Sequence, residues 1–177
     1  MGREVNRPDN SPSLVSHTAA VLTVSDGVSL GVREDLSGAA LVDLLEAEGY
    51  EVTVRMVVPD DAPRISLAIT DLAAQADMVV TTGGTGFGPR DVTPEATRAV
   101  LDREAPGLVV MMLAEAIKRN PLAALSRAAA GTRGSALVVN LPGSPRGAVE
   151  NLGFLLPILP HALSLLAGHT EHEGKPN

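Results

Sequence analysis

Cysteine and tryptophan are absent from this 177-residue chain, and aromatic residues make up only 2% of it. Without cysteine, the chain can form neither a disulfide framework nor a thiolate metal site, and it has no cysteine nucleophile. Tyr50, Phe87 and Phe154 are too few for the aromatic platforms on which single-stranded nucleic acids stack. The core must therefore be filled by Val, Leu, Ile, Met and Ala.

Long hydrophobic runs and an excess of basic charge are also missing. No stretch approaches the ~20 apolar residues of a membrane span, and residues 1–16 lack the apolar segment of a signal peptide. The formal net charge is -7, with a pI of about 5.0, so the chain has no general attraction for nucleic acid or an anionic membrane. We expect a cytoplasmic protein that binds any anionic ligand locally, through backbone amides or single basic groups.

The length and the 45% hydrophobic content fit one globular domain. Residues 1–17 and 169–177 are polar and without periodicity, and we predict that they are flexible tails. The domain is expected to span residues 18–168.

Strand and helix patterns alternate along this domain. Strands are predicted at "TAAVLTV" (18–24), "YEVTVRMVV" (50–58), "DMVVTT" (77–82) and "SALVVNL" (135–141), each followed by a helical pattern. One helical region is predicted from Thr93 to Pro121, and residues 122–134 fit either a helix or an irregular strand pair. The alternation predicts a three-layer α/β/α sandwich with a mainly parallel sheet, whose ligands bind at the carboxyl ends of the strands.

A glycine-rich loop, "TTGGTGFGPRDVTPEA" (81–96), follows the third strand. The consecutive backbone N–H groups of Gly83, Gly84, Thr85 and Gly86 can form a concave site for phosphate. The loop is neither a Walker A motif nor a G-x-G-x-x-G fingerprint. The alternative is that the glycines serve only the geometry of a tight turn.

Carboxylates accompany this loop. Asp91 would repel a phosphate bound there unless a cation lay between them, which predicts a Mg²⁺ ion. Thr93 is predicted to cap a helix with Pro94 at its first position. Asp60 and Asp61 follow the second strand, where Asp61 can cap the next helix and either can be a solvated turn residue. The shared location at strand ends favours Asp60 as a partner of Asp91.

Two further turns lie at predicted strand ends. After the first strand, hydroxyl and amide donors are offered by Ser25, Asp26, Asp35, Ser37 and Gly38, although Ser37 can instead be a helix cap. After the last strand comes the turn Pro142-Gly143-Ser144, where Ser144 is predicted to cap a helix. This turn is a second candidate anion site.

Five segments, in this order, resemble the MogA/MoaB family of molybdenum cofactor biosynthesis proteins. They are "VLTVSD", "EDLSG", "VVPDD", "TTGGTGFGPRDVTPEAT" and "LSRAAAGTRGSALVVNLPGSP". The resemblance covers roughly residues 18–168. It implies a three-layer α/β fold, a homotrimer and the Mg²⁺-ATP-dependent adenylylation of molybdopterin with release of pyrophosphate.

The resemblance also implies roles for the motif residues. Asp60 and Asp91 are expected to be catalytic and to bind the metal, and Gly83, Gly84, Thr85 and Gly86 to bind the nucleotide phosphates. The residues expected to bind substrate are Ser25, Asp26, Asp35, Ser37, Gly38, Pro142, Gly143 and Ser144. A molybdenum-insertion enzyme is an expected partner.

Two other functions are compatible with parts of the pattern. A non-catalytic molybdopterin carrier or scaffold of the MoaB type would use the same cavity without a productive ATP site. A Rossmann-type oxidoreductase is disfavoured because its dinucleotide fingerprint is absent.

Overall fold

The computed structural model describes residues 17–168. The tails predicted at 1–17 and 169–177 therefore lie outside the described residues, apart from His17. The described strands are β1 (Thr18–Val24), β2 (Glu51–Val58), β3 (Met78–Thr82), β4 (Arg103–Glu104), β5 (Ala130–Arg133) and β6 (Ala136–Leu141). The helices are α1 (Asp26–Ser29), α2 (Leu36–Ala47), α3 (Ala62–Ala73), α4 (Thr93–Arg98), α5 (Pro106–Arg119), α6 (Pro145–Leu155) and α7 (Leu159–Leu166), with a 3₁₀ helix at Pro121–Leu125.

The strands form one sheet in the order β2-β1-β3-β6-β5-β4. Four neighbouring strands, β2, β1, β3 and β6, are parallel, whereas β5 and β4 run antiparallel at one edge. The prediction of a mainly parallel sheet is confirmed. The carboxyl ends of the four parallel strands lie together at one end of the sheet, where such folds bind ligands.

Helices cover both faces of the sheet. In β1, Ala19 and Val21 pack on one side with leucines of α2, α6 and α7, while Ala20 and Leu22 pack on the other with α3. This alternation is the period-two pattern of a strand that is buried on both faces. The molecule is therefore a three-layer α/β/α sandwich, as predicted.

The single helical region predicted from Thr93 to Pro121 is wrong. Helix α4 ends at Arg98, and the chain then forms the short edge strand β4 before α5 begins at Pro106. The backbone N–H groups of Asp102 and Ala105 donate to carbonyls of β5, each over 2.8 Å. Pairing with β5 therefore interrupts the helical pattern, and Pro106, which needs no N–H partner at a first helical position, starts the next helix.

Residues 122–134 contain parts of both predicted alternatives. The 3₁₀ helix ends at Leu125, and β5 then pairs with β6 across a turn at Gly134, whose φ is +57°. The last helical pattern is also divided, into α6 and α7, which are bent by 68° relative to each other. Within residues 17–168, no single helix is long and apolar enough to cross a membrane.

Candidate active site

A polar cavity of about 410 Å³ lies at the carboxyl ends of the parallel strands. The loops that follow β1, β2, β3 and β6 all contribute to its wall. Seven of the predicted site residues line it: Ser25, Ser37, Asp60, Gly83, Gly84, Asp91 and Gly143. Segments that are far apart in the sequence thus meet at one place, because parallel strands bring their ends to the same edge.

The remaining residues of the glycine-rich loop face a different cavity. Thr85 and Gly86, together with Pro142 and Ser144, line a second space of about 260 Å³ that is walled largely by α5, the 3₁₀ helix and α6. This second cavity has exposed apolar side chains, Leu122 and Leu125, at its edge. The predicted cradle is therefore divided, with Gly83 and Gly84 on the polar side of the loop and Thr85 and Gly86 on the other.

Gly83 and Gly84 have φ angles of +101° and +64°, which favour glycine. A Cβ on Gly83 would overlap the carbonyl oxygen of Val24 at the end of β1. A Cβ on Gly143 would lie 3.1 Å from the Cα of Gly83, so the two glycine turns touch through their backbones. The Thr82 hydroxyl ties them together by donating to the carbonyl oxygen of Pro142 over 2.7 Å.

The backbone amides of this loop are only partly available to a ligand. The N–H of Gly83 donates to the Leu141 carbonyl oxygen over 3.3 Å, which removes it from the predicted set of phosphate donors. Within the described part of the chain, the N–H groups of Gly84, Thr85 and Gly86 have no protein acceptor. Three consecutive unpaired N–H groups are typical of an anion-binding loop.

Asp60 is held by its exchange of hydrogen bonds with Asp26. The N–H of Asp26 donates to Oδ2 of Asp60 over 2.8 Å, and the N–H of Asp60 donates to Oδ1 of Asp26 over 3.0 Å. Burial raises the pKa of Asp60, and the nearby carboxylates of Asp26 and Asp91 raise it further. A bound cation would relieve this repulsion, since it favours the charged form of both cavity carboxylates.

Asp26 itself is committed to protein contacts. Arg90 binds it with two nitrogen atoms, over 3.0 Å from Nε and 2.7 Å from Nη2 to Oδ2. The hydrogen bond from the Asp60 backbone, followed by the contact with Arg90, lowers the pKa of Asp26. Asp26 does not line the polar cavity. Its predicted role in binding substrate stays a prediction, whereas its role in placing Asp60 is observed.

Asp91 closes the glycine-rich loop from the opposite side. Its Oδ2 accepts from the N–H of Gly88 over 2.7 Å, and its own N–H donates to the Gly88 carbonyl oxygen over 2.9 Å. The residue lines the cavity together with Asp60. The two carboxylates selected from the sequence therefore share one site.

Thr93 lies beneath this site and does not cap α4 as predicted. The helix cap is Val92, which makes no side-chain capping bond, and Thr93 occupies the first helical position. Its Oγ1 is buried and has no hydrogen-bond partner, the one such side-chain atom among residues 17–168. A Cβ added to Gly84 would overlap that hydroxyl and would lie 3.2 Å from Oδ1 of Asp60.

These oxygen atoms are compatible with Mg²⁺. Mg²⁺ prefers oxygen ligands and commonly uses one or two carboxylates together with substrate phosphates and water. Within residues 17–168, no group of three or more His, Asp or Glu side chains is placed to bind a metal ion. An ion at this site would therefore combine Asp60 and Asp91 with oxygen atoms of a phosphate and of water.

The residues at the start of α2 have a structural arrangement that differs from the prediction. The helix cap is Asp35 rather than Ser37: its Oδ1 accepts from the N–H of Gly38 over 2.9 Å. The same carboxylate accepts from the Thr23 hydroxyl over 3.0 Å and from Nη2 of Arg55 over 2.8 Å. Of this group, Ser37 lines the polar cavity, whereas Asp35 and Gly38 do not. The predicted caps at Asp61 and Ser144 are confirmed.

Arg127 was not singled out in the sequence, although it lies within one of the segments that resemble the family. Its Nε donates to the Gly86 carbonyl oxygen over 2.6 Å, its Nη2 donates to the Asp91 carbonyl oxygen, and its Nη1 pairs with Glu95. Its backbone N–H donates to the Thr85 carbonyl oxygen over 2.9 Å. One side chain thus binds two carbonyl oxygens of the loop that contains Asp91 and a carboxylate of α4.

Comparison with known proteins identifies the family. Residues 20–161 match the family described as "Probable molybdopterin binding domain". The chain is 39% identical over 158 residues to molybdopterin adenylyltransferase of Helicobacter pylori strain J99, covering 84% of this chain and 87% of that protein. It is 37% identical over 174 residues to gephyrin of Dictyostelium discoideum, covering 92% of this chain but only 24% of that longer protein.

A solved structure agrees with these relatives. The molybdopterin biosynthesis enzyme MoaB of Thermus thermophilus superimposes with a TM-score of 0.81 and 47% identity, covering 86% of this chain and 97% of that one. The match to the Helicobacter protein and the match to this structure thus each extend over most of both chains. The chain belongs to the molybdopterin-binding domain family of molybdenum cofactor biosynthesis proteins.

Proposed function

We propose that this protein is a molybdopterin adenylyltransferase of molybdenum cofactor biosynthesis. The observation that carries the proposal is the meeting of Asp60, Asp91 and the Gly83-Gly84 turn in one polar cavity at the strand ends. The name of the Helicobacter relative, which this chain matches over most of both lengths, supports the same activity.

In the proposed reaction, an oxygen atom of the terminal phosphate of molybdopterin attacks the α-phosphorus of ATP. A new oxygen–phosphorus bond forms, and the bond from the α-phosphorus to the oxygen that bridges to the β-phosphorus breaks. Pyrophosphate leaves with that electron pair. The phosphate is itself the nucleophile, so no side chain must attack, and catalysis consists of positioning and charge stabilisation.

Different residues of the chain position the substrates and stabilise their charge. The unpaired N–H groups of Gly84, Thr85 and Gly86 bind phosphate oxygens, and the two cavities on either side of the loop receive the two substrates. Asp60 and Asp91 would hold Mg²⁺, which would supply positive charge to the phosphates when bound. Asp26 donates a backbone N–H to the carboxylate of Asp60, and Arg127 binds the backbone carbonyl oxygen of Asp91.

We also propose that the protein is a cytoplasmic homotrimer that passes its product to a molybdenum-insertion enzyme. These proposals rest on the resemblance to the MogA/MoaB family. Light scattering tests the oligomeric state, since a trimer has three times the 18.2 kDa mass of the chain.

The decisive experiment incubates the purified protein with molybdopterin, ATP and Mg²⁺ and follows pyrophosphate release and the mass of the pterin product. Asp91→Asn, which removes one charge and keeps the side-chain shape, is expected to bind molybdopterin but to lose turnover by about 100-fold or more. Pterin binding by the wild type without any product would reject the adenylyltransferase and favour the carrier. Unchanged turnover in Asp91→Asn would reject the role of Asp91.

A further inference from the structure

Arg33 lines the polar cavity together with Asp60 and Asp91. Within the described residues, its guanidinium group has no hydrogen-bond acceptor and no acidic partner. The neighbouring arginines are all occupied, since Arg55 pairs with Asp35 and Arg90 pairs with Asp26. Arg33 is therefore the basic side chain of this cavity that is free to bind a ligand.

The loop that carries Arg33 is held by its own backbone. The N–H groups of Val32 and Arg33 both donate to the Gly27 carbonyl oxygen over 3.0 Å, and the N–H of Leu30 donates to the Asp26 carbonyl oxygen over 3.0 Å. The Arg33 side chain also packs over Gly27, where a Cβ would lie 3.0 Å from its Cδ. The ordered backbone and the contact with Gly27 thus fix the start of the Arg33 side chain beside the cavity.

The charge of the cavity shows what Arg33 can bind. Glu34, Asp60 and Asp91 contribute three carboxylates to its wall, and Arg33 is the one basic residue among residues 17–168 that lines it. Gly84, whose N–H has no acceptor among the described residues, lines the same cavity, and a phosphate has enough oxygen atoms to accept from both this N–H and a guanidinium group. Arginine binds phosphate through two parallel, charge-assisted hydrogen bonds.

We propose that Arg33 binds a phosphate group of the substrate in the polar cavity. The ligand class is a phosphate monoester or a polyphosphate. The assignment of that phosphate to molybdopterin or to ATP rests on the proposed function. The binding of phosphate by Arg33 rests on the cavity and its charges, whatever the reaction.

The test compares Arg33→Gln with the wild type by calorimetry, using three probes: molybdopterin, a non-hydrolysable ATP analogue with Mg²⁺, and inorganic pyrophosphate. Arg64→Gln is the matched control, because Arg64 is also exposed and without a side-chain partner among the described residues but does not line the cavity. We expect the dissociation constant of at least one probe to rise by about tenfold in Arg33→Gln and to stay unchanged in Arg64→Gln.

The probe that is affected identifies the source of the phosphate. Weaker molybdopterin binding assigns Arg33 to the pterin phosphate, and weaker binding of the ATP analogue or pyrophosphate assigns it to the nucleotide. Unchanged affinity for all three probes overturns the proposal, as does an equal loss in Arg64→Gln. A wild type that makes no product but shows the selective loss would reject the proposed function and retain the role of Arg33.

Discussion

Asp26 and Asp60, from two neighbouring strand ends, each donate a backbone N–H to the carboxylate of the other, over 2.8 and 3.0 Å. The exchange fixes the distance between the loops that follow β1 and β2. It also places two negative charges side by side, of which only that of Asp26 is balanced by Arg90. Burial of negative charge is therefore less favourable at Asp60, whose pKa is raised, than at Asp26, whose pKa is lowered.

Replacing Asp60 with Asn is therefore expected to stabilise the metal-free protein at neutral pH. Burial, followed by the neighbouring carboxylates, raises the pKa of Asp60 in the folded state. The protonated side chain is therefore favoured by folding, and this contribution to stability is lost as the pH rises through that pKa. Asparagine retains an oxygen to accept the Asp26 N–H. Thermal unfolding should show a higher Tm for Asp60→Asn without Mg²⁺, and a smaller increase on adding Mg²⁺ than in the wild type.

Asp61→Asn provides the control for this experiment. It removes the same charge one position along the chain, and asparagine caps a helix as well as aspartate does. We expect it to respond to Mg²⁺ like the wild type. A lower Tm for Asp60→Asn with an undiminished response to Mg²⁺ would show that the Asp60 charge neither opposes folding nor binds the ion.

Gly83→Ala is predicted to destabilise the protein more than Gly134→Ala. Both glycines have positive φ angles, which cost a residue with a Cβ about 1–2 kcal/mol. At Gly83 the new methyl group would also overlap the Val24 carbonyl oxygen, whereas at Gly134 no atom of the described residues, apart from those next to it in the chain, lies within 4 Å. Urea denaturation should show an additional loss of about 1–3 kcal/mol at Gly83. Equal losses at the two positions would mean that the loop moves aside at little cost.

Arg127→Gln is expected to lower both stability and turnover. It removes the guanidinium bonds to the carbonyl oxygens of Gly86 and Asp91 and to Glu95, and leaves partly buried acceptors without a donor. We expect a loss of about 1–3 kcal/mol by denaturation. Turnover should fall by up to about 100-fold, because a small displacement of Asp91 disturbs the reacting geometry.

The matched variant for Arg127 is Glu95→Gln. It removes only the half-exposed ion pair, which is worth about 1 kcal/mol or less, and should leave turnover near the wild-type value. An Arg127→Gln protein as stable and as active as the wild type would show that these contacts neither stabilise the fold nor support turnover.

Local patterns of apolar and polar residues were enough to predict most elements of the fold. Strands β1, β2, β3 and β6 were predicted within one residue of their observed bounds, because apolar runs and period-two patterns depend on which residues must be buried. The region after Arg98 failed for the opposite reason. Its apolar residues continue a helical spacing, but β4 forms only because β5, which comes much later in the sequence, supplies carbonyl acceptors.

In the site, too, some residues could be predicted from local sequence and others could not. Asp60, Asp91, Gly83 and Gly84 could be selected because they follow predicted parallel strands, whose carboxyl ends meet at one edge of the sheet. The caps at Ser37 and Thr93 were misassigned because a hydroxyl near a helix start does not reveal which residue accepts the first N–H groups. Arg33 and Arg127 carry no local signal, since an arginine in a loop can pair with any carboxylate or carbonyl that the fold brings near it.

The sequence by itself determined the layered α/β fold, the glycine-rich turns and the two candidate catalytic carboxylates, because backbone conformation, burial and charge are properties of neighbouring residues. Tertiary structure alone decided that the loop separates two cavities, that Asp26 and Asp35 bind protein partners, and that the Arg33 guanidinium group has no partner within residues 17–168. These outcomes depend on which groups from distant segments come within hydrogen-bonding distance, and only the folded chain sets those distances.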